Sequence, residues 1–296
     1  MSLAATPLTL RSVLKTAAIR SGLRDPAQVL AGLSPPAQAL AVTTLAATGT
    51  PVLIVLPRDV AVEQMTADAR FFYASLSGAS DNELARSVLS FPSPEVDPYR
   101  AVTPHLDVVS ARARALTALA MGTARVVVAS AASLLPRLSP PARLLKASQN
   151  LVVGGFSSPT VLIELLADAG FTPEDPVDQH GEFCLRGGVV DFFPTGDAYP
   201  VRVEFAGDMI ESLRRYDPEN QRSITRLDRV AVIPLRDTFS QLYVGGENPS
   251  QPILDRAGTV FDYLNKRKME IFVQEAEECE HCVVKQIEQF EVSHQT

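Results

Sequence analysis

The sequence predicts an α/β fold in which a parallel-sheet domain is interrupted by an inserted α+β antiparallel module. From about residue 36 to residue 138, helix-like and strand-like periods alternate, which is typical of an open sheet covered by helices. After one helical stretch at 160–169, almost every segment alternates with period two, as antiparallel strands do. Beyond Pro234 a strand–strand–helix pattern returns, and we expect it to rejoin the first sheet.

The first domain is predicted to begin with a helix that opens at Pro36 and stops before Pro51, because proline suits a first helical turn but not the turns that follow it. Val52–Leu56 is wholly apolar, so this strand should be buried on both faces. The next elements are a helix at 57–75, a strand at 87–91, a helix at 107–121 and a strand at 125–129. The proline-rich segment 92–99 is expected to be a surface loop.

The inserted module is predicted to follow a passage at 136–146, where prolines occur and periodicity is weak. Its strands are predicted at 182–185, 189–193, 201–205 and 209–216, joined by glycine-containing turns at 186–188, 195–197 and 206–208. Strands at 259–264 and 269–273 and a helix at 275–291 are then expected. The predicted division is therefore 1–146 for the first part of the α/β domain, 147–235 for the module, and 236–296 for the second part.

Composition narrows the class of function. The 296 residues are 46% hydrophobic, with 27 Lys and Arg against 34 Asp and Glu, a net charge of -7. This balance argues against a protein that holds nucleic acid by neutralising phosphates, and favours a protein partner. Three cysteines are too few for a disulfide scaffold, which indicates a reducing, cytoplasmic location. The uncharged stretch 26–57 is broken by prolines and polar residues, so no membrane span is expected.

A search for chemical motifs gives no catalytic residue, cofactor site or metal site. No glycine is followed by lysine and no two glycines stand two apart, so neither a Walker phosphate loop nor a dinucleotide fingerprint can be drawn. The pair Cys279 and Cys282 has zinc-knuckle spacing but lacks two further ligands nearby, which favours small residues on a helix. None of the four histidines lies in a recognisable nucleophile motif, although a triad could still assemble across the fold.

Two segments are more specific: 180–194 (HGEFCLRGGVVDFFP) and 200–217 (PVRVEFAGDMIESLRRYD). They resemble the inserted β-module shared by the excision-repair protein UvrB and the N-terminal, UvrB-like region of the bacterial transcription-repair coupling factor (Mfd) family. Segments at 98–112, 259–264 and 285–289 extend the resemblance over nearly the whole chain after about residue 25. The later segments look more like the coupling factor.

The resemblance implies that the first domain is a degenerate RecA/P-loop-like lobe. UvrB carries a Walker motif near its start, whereas residues 31–37 (AGLSPPA) occupy that place here with neither the second glycine nor the lysine. This looks like the coupling factor, whose module recruits the ATPase UvrA. RNA polymerase and DNA would be contacted only through regions absent from this chain. The alternatives are a UvrB-like ATP-dependent DNA-repair helicase lobe and a clamp that restrains the motor of the full protein.

By resemblance, the UvrA-facing residues are Arg186, Arg202 and Ala206, the last standing where the family has an aromatic residue. Alternation in the strand directs Arg202 away from the face of its neighbouring valines, so the two guanidinium groups can converge on one patch and meet carboxylates. We expect Arg186→Ala and Arg202→Ala to leave the fold intact, and Phe205 to belong to the core. The alternative for either arginine is solvation or internal pairing with Glu204 or Glu182.

Overall fold

The computed structural model describes residues 9–20, 31–94, 104–240, 254–264 and 268–295. The chain forms two compact units. The first comprises residues 1–103, 121–136 and 264–296, and the second comprises 104–120 and 137–263. The predicted division at 146/147 and 235/236 stays a prediction.

The strands are, in chain order, β1 (Val52–Leu56), β2 (Val88–Phe91), β3 (Val126–Ser130), β4 (Gln149–Val152), β5 (Thr172–Pro173), β6 (Glu182–Arg186), β7 (Val189–Phe192), β8 (Val201–Ala206), β9 (Met209–Tyr216), β10 (Ser223–Leu227), β11 (Arg229–Val232), β12 (Phe239–Ser240), β13 (Leu254–Asp255) and β14 (Glu270–Val273). The helices are α1 (Leu10–Arg20), α2 (Pro35–Ala46), α3 (Val62–Ser77), α4 (Asp81–Ser87), α5 (Leu106–Met121), α6 (Pro141–Lys146), α7 (Pro159–Ala169), α8 (Val260–Leu264) and α9 (Ala276–Gln295).

The first unit contains a parallel sheet of strand order β14-β1-β3-β2. All five residues of β1 are buried, as are those of β3, because both strands are mainly apolar and lie in the middle of the sheet. Strand β14 pairs parallel with β1, with Ile54 opposite Phe272, so the predicted strand 269–273 rejoins the first sheet, whereas the segment 259–264 forms no strand of it. Residues of α2 and α3 pack with these strands in one apolar core.

The second unit contains a six-stranded sheet of order β10-β9-β8-β7-β6-β5. Strands β6 to β10 form an antiparallel meander, whereas β5 runs parallel to β6. Two-residue turns join β6 to β7 and β8 to β9, and Gly187 and Gly207 adopt φ values of 61° and 62° that a residue with a side chain rarely tolerates. The predicted α/β fold with a separate antiparallel module is confirmed; the RecA-like detail stays a prediction.

One face of this sheet is covered by α7 and by the β4–β11 pair. Leu162, Leu166 and Ala169 recur on one side of α7 and are fully buried. They pack against the inward side chains of the meander, including Val203, and Phe171 meets Phe192 edge to face at 6.1 Å. The opposite face of the sheet is not part of this core.

Two predicted segments have a different structure. Residues 259–264, predicted as a strand, contain helix α8, because the Asp262 carboxylate accepts hydrogen bonds from the Thr259 N–H and hydroxyl and starts a turn. Val260 and Tyr263 are then buried at helical spacing. The passage 136–146 contains helix α6.

The segment 92–99 lies partly outside the described residues, which stop at residue 94. Ser93 is buried and its N–H donates to the Asp59 carboxylate at 2.7 Å, so this part is not an exposed loop. Among the described residues, no helix is long and apolar enough to cross a membrane.

Candidate partner-binding surface

The candidate surface is the open face of the meander, opposite the core. Val201 and Val203 are fully buried, and Arg202 between them points to the other face, as predicted. Register extends this polar face across neighbouring strands. Asp191, Arg202, Arg214 and Arg226 lie directly opposite one another on β7, β8, β9 and β10. Three arginines therefore form a row across the sheet, next to one carboxylate.

Arg202 is held firmly inside this row. Its Nε and Nη2 donate to the two carboxylate oxygens of Asp191 at 2.8 Å each, and Nη2 also donates to Gln221 Oε1 at 2.9 Å. The guanidinium lies 4.5 Å from the ring centre of Tyr216. The hydrogen bond to Asp191 raises the pKa of Arg202, in spite of partial burial. With its side chain 20% exposed, Arg202 is internally paired, as the alternative interpretation of the sequence allowed, but its partner is Asp191 and not Glu204 or Glu182.

The expectation that Arg202→Ala leaves the fold intact stays a prediction, and the buried partner of Arg202 argues against it. Asp191 is 4% exposed in its side chain, so removing Arg202 would leave a buried carboxylate without its counter-ion. The sequence carries a signal for this pair: Asp191 is a lone carboxylate inside the apolar strand β7. The sequence alone does not identify Arg202 as the partner of Asp191, because the partner of a strand residue depends on register.

Arg186 is more accessible than Arg202 on this face. It closes strand β6 opposite Val189, which in turn lies opposite Glu204, so it shares a face with Arg202 across β7. Its Nε donates to Asp175 Oδ2 at 3.1 Å and its Nη2 to Oδ1, while the two side chains stay 44% and 56% exposed. The hydrogen bond lowers the pKa of Asp175 and raises that of Arg186. An exposed pair of this kind can exchange its carboxylate for that of a partner at little cost.

Glu204 and Arg214 form the next pair along the face. Arg214 Nη2 donates to Glu204 Oε2 at 2.8 Å, and Ser212 Oγ donates to the same oxygen at 2.5 Å. Arg226 is exposed and forms no ion pair with the residues that the structure describes. A cavity of about 430 Å³ opens here, lined in part by Val153, Glu204, Arg214 and Arg226.

Ala206 is exposed at the end of β8, opposite Met209 across the two-residue turn. Phe205 packs against the apolar core, as predicted, so its ring does not stand in for an aromatic at Ala206. The structure thus brings Arg186, Arg202 and Ala206 onto one face, with Arg202 paired to a buried carboxylate and Arg186 to an exposed one.

The cysteine pair with zinc-knuckle spacing lies on a helix and has no metal-binding group around it among the described residues. Cys279 and Cys282 lie on α9, where the Cys279 thiol is nearly buried and donates to the Gln274 carbonyl at 3.1 Å. Burial raises the pKa of Cys279. Within the described ranges, no three His, Cys, Asp or Glu side chains are grouped to hold a metal ion.

Parts of the chain are similar to known proteins. Residues 150–237 match the UvrB interaction domain. The chain is 31% identical over 213 residues, 71% of its length, to the transcription-repair-coupling factor of Myxococcus xanthus. The chain is a relative of the transcription-repair-coupling factors. The factor of Bacillus subtilis is 34% identical over 53% of the chain, and the UvrABC system protein B of a Synechocystis species is 33% identical over 38%.

The similarity to both families supports a DNA-repair role. The residues that match the UvrB interaction domain extend from β4 to β11. They include segments 180–194 and 200–217, which carry the resemblance in the sequence. The chain spans 17% of the Myxococcus xanthus coupling factor, 12% of the Bacillus subtilis one and 17% of the Synechocystis protein.

Proposed function

We propose that this chain recruits the damage-recognition ATPase UvrA in transcription-coupled nucleotide excision repair, through the open face of β6 to β9. The observation that carries the proposal is that the residues matching the UvrB interaction domain are those that form the arginine-bearing face. Arginine is suited to this role because its planar fork binds carboxylates through two hydrogen bonds and is frequent at interface hot spots.

Arg186 is the proposed first contact. Its Asp175 partner is exposed, so a carboxylate of UvrA can replace Asp175 without uncovering a buried charge. Arg202 is proposed to act differently, by keeping the face ordered through Asp191 and Tyr216 while offering the exposed part of its guanidinium. Ala206 is proposed to allow close approach at the end of β8.

Contacts with stalled RNA polymerase and with DNA, and an ATP-driven translocase, are proposed for parts of a longer protein outside this chain. The chain itself is proposed to act as a binding module that neither binds nor hydrolyses ATP. This is supported at the start of α2, where Pro35 and Pro36 occupy the first two helical positions. Neither has an N–H, so this helix end lacks donors that a phosphate site would use.

The recruitment proposal is tested by titrating purified UvrA with the parent chain, Arg186→Ala and Asp175→Ala. We expect Arg186→Ala to weaken binding more than tenfold, because a charge-assisted contact is lost. Asp175→Ala removes the internal competitor for the same guanidinium, so its affinity should match or exceed that of the parent. Arg86→Ala, an exposed arginine of α4 in the other unit, is the matched control.

Unchanged affinity in Arg186→Ala, with an unchanged melting temperature, would show that UvrA meets another face. An ATP titration of the parent chain separates this proposal from a UvrB-like helicase lobe. Micromolar ATP binding that substitutions at 31–37 abolish would favour the helicase lobe.

A further inference from the structure

Phe156 is the most exposed aromatic side chain of the second unit that the structure describes, at 85%. Its position is nevertheless fixed by the backbone. Strand β10 pairs with residues 213–216 of β9, and the first residues of β9 pair with the segment before Phe156. Gly154 N–H donates to the Ile210 carbonyl at 2.8 Å, and Ile210 N–H donates to the Gly155 carbonyl at 2.9 Å. Ser157 N–H donates to the Asp208 carbonyl at 2.9 Å. The ring is therefore presented to solvent by strand register.

The turn before Phe156 requires a residue without a side chain. Gly155 N–H donates to the Val152 carbonyl at 2.9 Å, and a Cβ atom on Gly155 would lie 2.8 Å from that same oxygen. This contact is too close for any other residue without a backbone shift. The glycine thus lets the chain leave β4, turn sharply and run alongside β9.

Phe156 continues the candidate surface. It forms an antiparallel bridge with Met209, which lies directly opposite Ala206. Residues directly opposite in antiparallel strands share a face, so the three side chains form one row. Phe205 and Ile210, the neighbouring pair, face the core, which places this row on the same face as Glu204. Met209 is 39% exposed.

We propose that Phe156, together with Met209, is the apolar anchor of the surface through which the chain binds its partner. The inference rests on the proposed function and assigns to it a residue outside the predicted set. The occupant is an apolar side chain of the partner protein, on the same surface as a carboxylate that faces Arg186. An exposed ring of this kind suits a protein surface better than a small molecule, because small molecules bind in concave pockets, and aromatic residues and methionine are enriched in interfaces.

The charged residues near this row are of both signs, so the row is distinguished from its surroundings by its apolar side chains. The adjacent cavity is lined by Arg214 and Arg226 but also by Glu204, Glu211 and Asp228, so it carries both signs. Val153 lines the same cavity and is also exposed. A partner that matches the arginines alone would leave this apolar edge in water, whereas one with an apolar side chain covers it.

The test compares the UvrA affinity of the parent chain with that of Phe156→Ala, Phe156→Leu and Phe71→Ala. Phe71 is the matched control, since it is an exposed aromatic of α3 in the other unit. We expect Phe156→Ala to weaken binding about tenfold, equivalent to about 1.4 kcal/mol. Phe156→Leu should keep most of the affinity, Phe71→Ala should keep all of it, and melting temperatures should not change.

Measuring UvrA affinity at several salt concentrations distinguishes the apolar contact of Phe156 from the charged contact of Arg186. The loss in Phe156→Ala should persist at high salt, whereas the loss in Arg186→Ala should shrink, because salt screens exposed charges. If Phe156→Ala binds as the parent does while Arg186→Ala is weakened, the anchor is wrong and the proposed function stands. If the parent does not bind UvrA, both are wrong. Self-association that Phe156→Ala abolishes, with unchanged UvrA affinity, would assign the row to a second copy and overturn the anchor.

Discussion

Arg186 and Arg202 share a face of the meander but have different energetic roles. Arg202 is bound through two nitrogens to Asp191, whose carboxylate is buried, whereas Arg186 is bound to the exposed Asp175. A buried carboxylate that loses its counter-ion is strongly destabilising, and an exposed pair contributes little. At the residue scale, the same alanine substitution should therefore have unequal effects on stability.

We expect Arg202→Ala to lower the free energy of unfolding by about 3 kcal/mol, and Arg186→Ala by less than about 1 kcal/mol. Urea denaturation followed by circular dichroism measures both. The double variant Arg202→Ala with Asp191→Ala is the control, because removing the buried charge as well should restore part of the loss. Equal effects of the two single substitutions would contradict the distinction between them.

Helix α7 begins at a side-chain cap that neighbouring residues in the sequence supply. Ser158 is its N-cap, and the Ser158 hydroxyl accepts a hydrogen bond from the Val161 N–H at 3.2 Å. Pro159 follows in the first helical position, where its missing N–H costs nothing. The hydroxyl of Ser157, one residue earlier, is buried and makes no hydrogen bond with the described residues.

These neighbouring serines form a matched pair for substitution. Ser158→Ala should lower the free energy of unfolding by about 1 kcal/mol, because it removes the cap. Ser157→Ala should be neutral or slightly stabilising, because it removes a buried hydroxyl that has no described partner. Thermal melts of the two variants beside the parent measure the difference. A larger loss in Ser157→Ala than in Ser158→Ala would show that the cap does not stabilise α7.

At the scale of the whole molecule, the module carries its own apolar core. The buried side chains that cover the meander all lie between Leu151 and Leu235. Arg143 of α6 lies just outside these limits, and it donates to both oxygens of Asp168 at 2.8 and 2.5 Å. Its guanidinium also lies 4.6 Å from the ring centre of Phe239.

A fragment of residues 150–237 should consequently unfold in one cooperative transition, and a fragment of 137–240 should be more stable by about 1 to 3 kcal/mol. Differential scanning calorimetry of the two fragments measures the gain. Arg143→Ala in the longer fragment is the control and should remove most of the gain. Two fragments that melt without a transition would show that the module depends on the rest of the chain.

Both sheet types of this protein follow from its local sequence pattern. The apolar run Val52–Leu56 is buried on both faces, whereas the period-two segments of the meander are buried on one face. Both patterns are local, because successive side chains of a strand point to opposite faces. Helix α7 was predictable for a related reason, because its buried residues Leu162, Leu166 and Ala169 recur at helical spacing. The segment 259–264 was not, because Phe261 and Tyr263 alternate like a strand while the Thr259–Asp262 contact starts a helix.

The pairing on the open face depends on how distant strands align in the folded protein. Register places Asp191 opposite Arg202, although Glu204 is nearer to Arg202 in sequence, and it places Met209 between Phe156 and Ala206. Sequence spacing does not fix which residues of distant strands lie side by side, since that depends on the turns and on the sharp bend at Gly155. The residue types of the surface can therefore be predicted from the sequence, whereas its geometry follows from strand register.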